Sequence, residues 1–494
     1  MTQESNNTSH KQILKSTGII GGAQVIAILI RIIRGKIIAV ILGPAGIGIA
    51  GLYQSTLDII RSGTGFGLNF SAVRDLAEAA GSGDEQRISK TILILRRWVW
   101  FTGLLGMVIA LVFCKPLSRY AFRTQEYAWG IAVLSVTLLF MALYEGQLAL
   151  LQGLRRVGSM AKANVSGVAA GFCISVPLYW LMGTKGIVPA ILLSTAASLA
   201  VSWYYTRRIP VQPLRVTPKE TFLGGLGMAK LGFFMVITGF VTTATLYLVR
   251  AFISRKTGIE GVGQFQAAWT FSLMYVAVVL QAMGADYFPR LSAIHSDNKK
   301  VVQLVNEQTE VALLLASPLV VTMLSFMSIV VYLLYSAKFT ETISILHWQL
   351  AGTLIKVLSW PIGFVILAKG RGGIFIFTEL CWNAVYLSLT YFGWNTFGLE
   401  ITGIAFLFSY FIYLVILVVI SRIICGFVWS KKNFKHIIVF GFATLLAFLN
   451  SRNISGLKGY CAGGLLSIAT ILYSCYELHK IVEIKTIIRK LLKR

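Results

Sequence analysis

Apolar runs of about 20 residues, long enough to cross a bilayer, recur from one end of this 494-residue chain to the other. They are continuously apolar rather than alternating, which disfavours a β-barrel and predicts helices. Polar and glycine-rich breaks divide the pattern into 14 predicted helices, near 13–42, 45–70, 91–113, 127–153, 159–182, 185–206, 222–254, 259–288, 303–335, 342–368, 373–394, 398–421, 435–451 and 458–479. The connections are short, and none has room for a folded soluble domain. The pattern therefore predicts an all-α polytopic membrane protein with 14 transmembrane helices.

The first predicted helix breaks its own pattern. The run "GIIGGAQVIAILI" leads into Arg31, Arg34 and Lys36, and "IIAVILG" follows. Arg31 and Arg34 share a face with Gln24 and Ala27, whereas Lys36 points elsewhere and lies near enough to Gly43 to reach the outer interface. Arg31 sits about 18 Å of helix from Gly43, too deep for comfortable snorkelling. An intramembrane cation costs about 2.5–3.5 kcal/mol on insertion scales and usually pairs or faces a wet cavity. On the second helix Gln54, Asp58 and Arg61 form a polar stripe, and Asp58 can pair with Arg31 or with Arg61. The other interior charges are Glu145, Lys230, Arg250, Glu310, Lys356 and Glu379.

Cations outnumber acids in this set, which suits an anionic ligand, and Arg grips phosphate bidentately. The candidate substrate-binding residues are Arg31, Arg34, Arg61, Lys230, Arg250 and Lys356. Asp58, Glu145 and Glu379 are candidate coupling or ion-pair carboxylates.

A weak internal repeat is visible. "GPAGIG" at 43–48 matches "GIEGVG" at 258–263, and "AVRDLA" at 72–77 falls near "FPRLSA" at 288–293. Six helices separate the copies, so they point the same way, which predicts a parallel repeat with substrate between the halves. The expected divisions are 1–210 and 211–421 for the two six-helix lobes, 422–480 for an extra transmembrane pair and 481–494 for a basic amphipathic tail.

Composition sharpens this picture. Hydrophobic residues make up 56% and charged residues 13%, against about 25% charged in a soluble domain; mean hydropathy is +0.74. A net charge of +26 would point to nucleic acid in a soluble chain. Here the cations fall on alternate loops by roughly three to one, the positive-inside pattern, with both termini cytoplasmic. The polar N-terminus shows no small-residue cleavage site, so the first helix is expected to remain.

The six cysteines include no CxxC and read as free thiols. The five histidines form no H-x-x-x-H pair, so neither metal nor cofactor is expected. "GIGIAG" at 46–51 fits G-x-G-x-x-G without the strand a dinucleotide site needs, and close helix packing explains it better. No Walker motif, paired catalytic carboxylates or Ser/His/Asp grouping points to enzymatic chemistry. The tail "KIVEIKTIIRKLLKR" reads as an amphipathic helix on the anionic inner leaflet, or as a plain topology anchor.

Three stretches carry a resemblance: "GKIIAVILGPAGIGIA" at 35–50, "YFPRLS" at 287–292 and "KFTETISILHWQLAGTLIKVLSWPIGFVILAKG" at 338–370. The last is the most specific, through Lys338, Phe339, Trp348, Gln349, Leu350, Lys356, Val357, Ala368 and Lys369, with Glu379 following. Over roughly residues 10–420 the chain resembles the Wzx-type flippases for lipid-linked O-antigen and enterobacterial common antigen units, of the multidrug/oligosaccharidyl-lipid/polysaccharide exporter superfamily.

The resemblance implies two pseudo-symmetric six-helix bundles around a cationic cavity. It implies outward flipping of an undecaprenyl-diphosphate-linked oligosaccharide across the bacterial inner membrane. Alternating access driven by H+, Na+ or the membrane potential is implied too, with other polysaccharide assembly proteins as partners. The chain departs from the pattern in placing its first-helix cations at 31 and 34 and in adding two helices after the twelfth. A drug or metabolite antiporter of the same superfamily, expected to have a more apolar or acidic pocket, and a membrane glycan polymerase, expected to have a long outside loop, are the alternatives.

Overall fold

The computed structural model describes the backbone of residues 2–454 and 456–481, with side chains throughout except at 2–21, 69–70, 227, 229–235, 273–279, 281–282, 284–286, 289 and 481. The predicted tail helix, past Ile481, lies outside the described residues, as does the side chain of Lys230. Every regular element described is helical. In order they are α1 (Thr2–Thr64), α2 (Leu68–Ser82), α3 (Glu85–Val112), α4 (Cys114–Phe122), α5 (Ala128–Gly153), α6 (Val157–Met182), α7 (Ile187–Thr206), α8 (Pro218–Ala293), α9 (Asn298–Ser325), α10 (Met327–Leu334), α11 (Thr340–Ala368), α12 (Gly372–Phe397), α13 (Ile401–Cys425), α14 (Lys431–Asn453) and α15 (Gly456–Ile481). Nine stretches among the described residues are long and apolar enough to span a membrane, and 157–206, 236–272 and 372–425 are the longest of them. The chain is a multi-pass membrane protein.

Local chemistry explains where the elements depart from the hydropathy pattern. The predicted helix 45–70 stops at Thr64, because Phe66 and Gly67 turn left-handed at φ 46° and 65°, and α2 starts afresh. Asp84 accepts from the backbone N–H groups of Gln86 and Arg87, so α3 begins six residues before its apolar run. The predicted helix 303–335 breaks at Phe326 into α9 and α10.

The repeat seen in the glycines extends through the backbone. Gly43 and Gly258 kink α1 and α8 at φ 63°, ψ −169° and φ 75°, ψ −170°. A side chain would be strained at either. Asp297 caps α9 as Asp84 caps α3. Gly183 (φ 56°, ψ −133°) and Gly398 (φ 55°, ψ −137°) end α6 and α12, and each leads into a single 3₁₀ turn. Gly48 and Gly263 pack the two kinks together: a Cβ on Gly48 would strike the Ile259 carbonyl, and one on Gly263 the Pro44 carbonyl.

The chain forms two compact units, residues 1–263 with 334–336, and residues 264–333 with 337–494. In the first, α1, α3, α5, α6 and α7 pack together and the connection 207–217 lies on α3. Arg97 Nη1 donates to the Val216 carbonyl (2.8 Å) and to Thr221 Oγ1 (2.7 Å), and Lys90 Nζ lies 2.5 Å from Glu220 Oε1. Thr217 and Glu220 form a capping box at the start of α8. The Lys90 ammonium, with the Thr217 donors, holds the Glu220 carboxyl down to about 2.

In the second unit α11 is the most enclosed of the apolar spans, and two of the three family-like stretches, 287–292 and 338–370, supply its packing. Tyr287 donates to the Pro361 carbonyl (2.8 Å), Ser272 to Gln349 Oε1 (3.0 Å) and Trp348 Nε1 to Glu400 Oε1 (2.6 Å). Phe339 is fully buried.

The terminal pair α14 and α15 packs on α9. Asn433 Nδ2 donates to the Asn306 carbonyl (2.8 Å), and the Ser430 N–H donates to Asn306 Oδ1 (2.8 Å). The sequence of this pair reads as nearly free of interior charge, yet Lys432 Nζ lies 2.5 Å from Glu310 Oε1, and buried His436 has Nε2 3.6 Å from the same oxygen. Glu310→Ala is therefore expected to loosen the pair by about 1–3 kcal/mol, because it strands the groups that face it. Thermal unfolding in detergent checks this: the transition should fall for Glu310→Ala and recover in part for Glu310→Gln.

Candidate functional site

The polar stripe of the first unit closes on itself. Arg61 Nη1 lies 2.5 Å from Glu145 Oε1 on α5, and Arg61 Nη2 lies 3.5 Å from Asp58 Oδ1. Gln54 Nε2 donates to the same Asp58 oxygen at 3.1 Å. Asp58 thus pairs with Arg61 rather than Arg31. The second partner of Arg61, Glu145, is 84 residues away and carries no sequence signal for the contact. These side chains are 28–39% exposed, so the group is not sealed in the helix packing. Arg61 and Glu145 line a cavity of about 240 Å³ between α1, α3, α5 and α8, with Ser62, Thr64, Thr102 and Phe240 on its wall.

Arg31 and Arg34 behave differently. Neither makes an ion pair among the described residues. Arg31 is exposed, within electrostatic reach of the Tyr144 phenol, which neighbours Glu145. Arg34 is half-buried against α6, with one guanidinium nitrogen near Gly171 and its Nε buried without a hydrogen-bond partner. Lys36, on another face, donates to the Tyr335 carbonyl at 2.7 Å. Around this part of α1 three arginines meet two carboxylates, so a net positive charge remains.

Arg250 is buried on α8. Lys356 and Glu379 belong to the second unit, where they form a separate group. Tyr413 donates to Glu379 Oε1 at 2.6 Å, and Lys356 Nζ sits 5.4 Å above the Tyr410 ring. Lys356 and Glu379 feel each other electrostatically. Sequence reasoning found both charges but missed the two tyrosines. Their only signal was a polar tip three residues apart within the apolar run "LFSYFIYLV". Among the described residues no cluster of His, Cys, Asp or Glu could hold a metal ion.

The fold is similar to those of solved membrane transporters. It matches an inward-facing multidrug-resistance MATE transporter of the MOP superfamily (TM-score 0.70, 15% identity, 81% of this chain and 94% of the other). It also matches the lipid II flippase MurJ in an inward closed conformation (TM-score 0.70, 13% identity, 93% and 98%). Residues 37–344, more than half the chain, match the family described as polysaccharide biosynthesis protein, and the chain belongs to that family. It is also 22% identical over 355 residues to proteins named lipid III flippase from Escherichia coli (strain K12) and Shigella flexneri, across 70% of this chain and 83% of theirs.

Proposed function

We propose that the protein is a flippase that carries an undecaprenyl-diphosphate-linked oligosaccharide, an O-antigen or similar surface polysaccharide unit, from the cytoplasmic to the periplasmic leaflet of a bacterial inner membrane. One observation carries the reading: Arg31 and Arg34, one turn apart deep in an apolar helix, have no carboxylate partner among the described residues. A diphosphate supplies the missing charge, and the guanidinium forks match its oxygens. The family supports a polysaccharide cargo, and the relatives named lipid III flippase support a lipid-linked one.

The glycan is too polar for lipid and the polyprenyl tail too apolar for water. The protein therefore holds the head on its cationic surface while the tail stays in the bilayer, and it moves by alternating access. An inside-negative potential favours outward movement of an anion by about 2.3 kcal/mol per charge per 100 mV. Arg61, Lys230, Arg250 and Lys356 are the supporting cations. Asp58, Glu145 and Glu379 are the carboxylates at which H+ or Na+ would couple. The recurring backbone features support two pseudo-equivalent six-helix halves with α14 and α15 as an added pair, 14 spans in all; the distribution of cations along the loops supports cytoplasmic termini.

The test is movement itself. Purified protein in vesicles carrying a polyprenyl-diphosphate-linked glycan in one leaflet is expected to expose that glycan on the other. If the glycan stays in place while the same vesicles export a lipophilic cation, the antiporter reading replaces this one.

A further inference from the structure

A larger cleft, about 770 Å³, opens in the first unit between α3, α5 and α7, away from the arginines of α1. Its walls are mainly apolar and include Leu143. Trp100 and Trp203, 49% and 56% exposed, stand at its sides. At one end lie Arg96 and Arg207. Arg97, next to Arg96, is consumed by the 207–217 connection, but Arg96 has no partner among the described residues. Among the described residues Arg207 makes ring contacts alone, 5.5 Å from the Trp203 centroid and 4.8 Å from that of Tyr204.

The internal repeat shows what such a cleft takes. By the shared Asp caps, Trp100 and Arg97 correspond to Leu313 and Glu310. By the shared glycine ends, Leu143 and Leu199 correspond to Leu358 and Leu414. In the second unit Leu313, Leu358 and Leu414 form one cluster around Phe440 of α14. The equivalent cleft is therefore filled by a helix, and its polar end is anchored by Lys432 on Glu310. In the first unit the counterpart of Glu310, Arg97, is already held by the 207–217 connection; the charges left on the cleft wall are Arg96 and Arg207, both cationic, so an occupant whose polar end is anionic suits them.

We propose that this cleft binds an anionic glycerophospholipid, with its phosphate on Arg96 and Arg207 and an acyl chain along the α3–α5–α7 wall. The volume falls in the usual range for small-molecule sites, about 300–1,000 Å³. Basic pockets between transmembrane helices at the cytoplasmic side suit such headgroups, and tryptophans favour the same depth. The site is independent of glycan movement, and the test reads lipid retention rather than transport.

The full-length protein is taken from vesicles of equal phosphatidylglycerol and phosphatidylcholine and weighed by native mass spectrometry. Wild type is expected to keep one phosphatidylglycerol through delipidation. Arg96→Gln/Arg207→Gln is expected to keep at least about tenfold less. Ala200→Phe fills the cleft from an exposed position and should also lose the lipid, with both arginines intact. Equal retention of the two lipids by wild type, or undiminished phosphatidylglycerol in the double variant, overturns the proposal. So does a lipid-free dimer, which would make a second copy the occupant.

Discussion

An Arg31→Ala/Arg34→Ala protein is expected to accumulate normally in the membrane and to export lipid-linked glycan about a hundredfold to ten-thousandfold more slowly. That range follows from two lost charge-assisted contacts of about 1.5–3 kcal/mol each. Stability should not fall with activity. Neither side chain holds an ion pair among the described residues, and removing an intramembrane cation relieves an insertion cost of about 2.5–3.5 kcal/mol. Export by a complemented strain, normalised to protein level, is the measurement. Lys36→Ala should lose a structural tie to the Tyr335 carbonyl and keep most export. Full export by the double variant would mean that the diphosphate is held elsewhere, with Arg250 and Lys356 the next positions to vary.

Gly263→Val is expected to fail at an earlier stage. Its side chain would be driven into the Pro44 carbonyl, which is backbone and has nowhere to move. Overpacking of a tight contact costs about 1–3 kcal/mol and more when rigid atoms oppose it. The expected result is a folded yield reduced to a small fraction, read by monodisperse protein after detergent extraction. Gly441→Ala is the control: no atom lies within 4 Å of the added Cβ, and Ala in a helix gains about 0.5–1 kcal/mol over Gly. A normal yield of Gly263→Val would show that the kinks of α1 and α8 separate easily.

Much of this architecture was legible along the chain, because a bilayer forces each crossing segment to satisfy its own backbone and to be apolar over its whole length. That constraint is local, so the helix order could be read without knowing any contact. The glycine match between 43–48 and 258–263 was legible for a similar reason: a left-handed kink and a close helix crossing both demand glycine at particular positions. The depth of Arg31 followed from counting residues at a fixed rise.

Pairing was not legible. Asp58 faced two arginines at suitable spacing, and only packing chose Arg61, because Glu145 arrives from α5 to complete that pair. Glu310 read only as one more interior charge until α14 brought Lys432 and His436 to it. Trp348 and Gln349, which carried the family resemblance, serve as internal ties. What the sequence by itself determined is an all-helical, multi-pass membrane chain and where charge is costly within it. The tertiary structure alone decided which charges cancel and which remain for a ligand. Neutralisation depends on side chains meeting within a few ångströms across helices that lie far apart in the chain, and no periodicity along one helix encodes that distance.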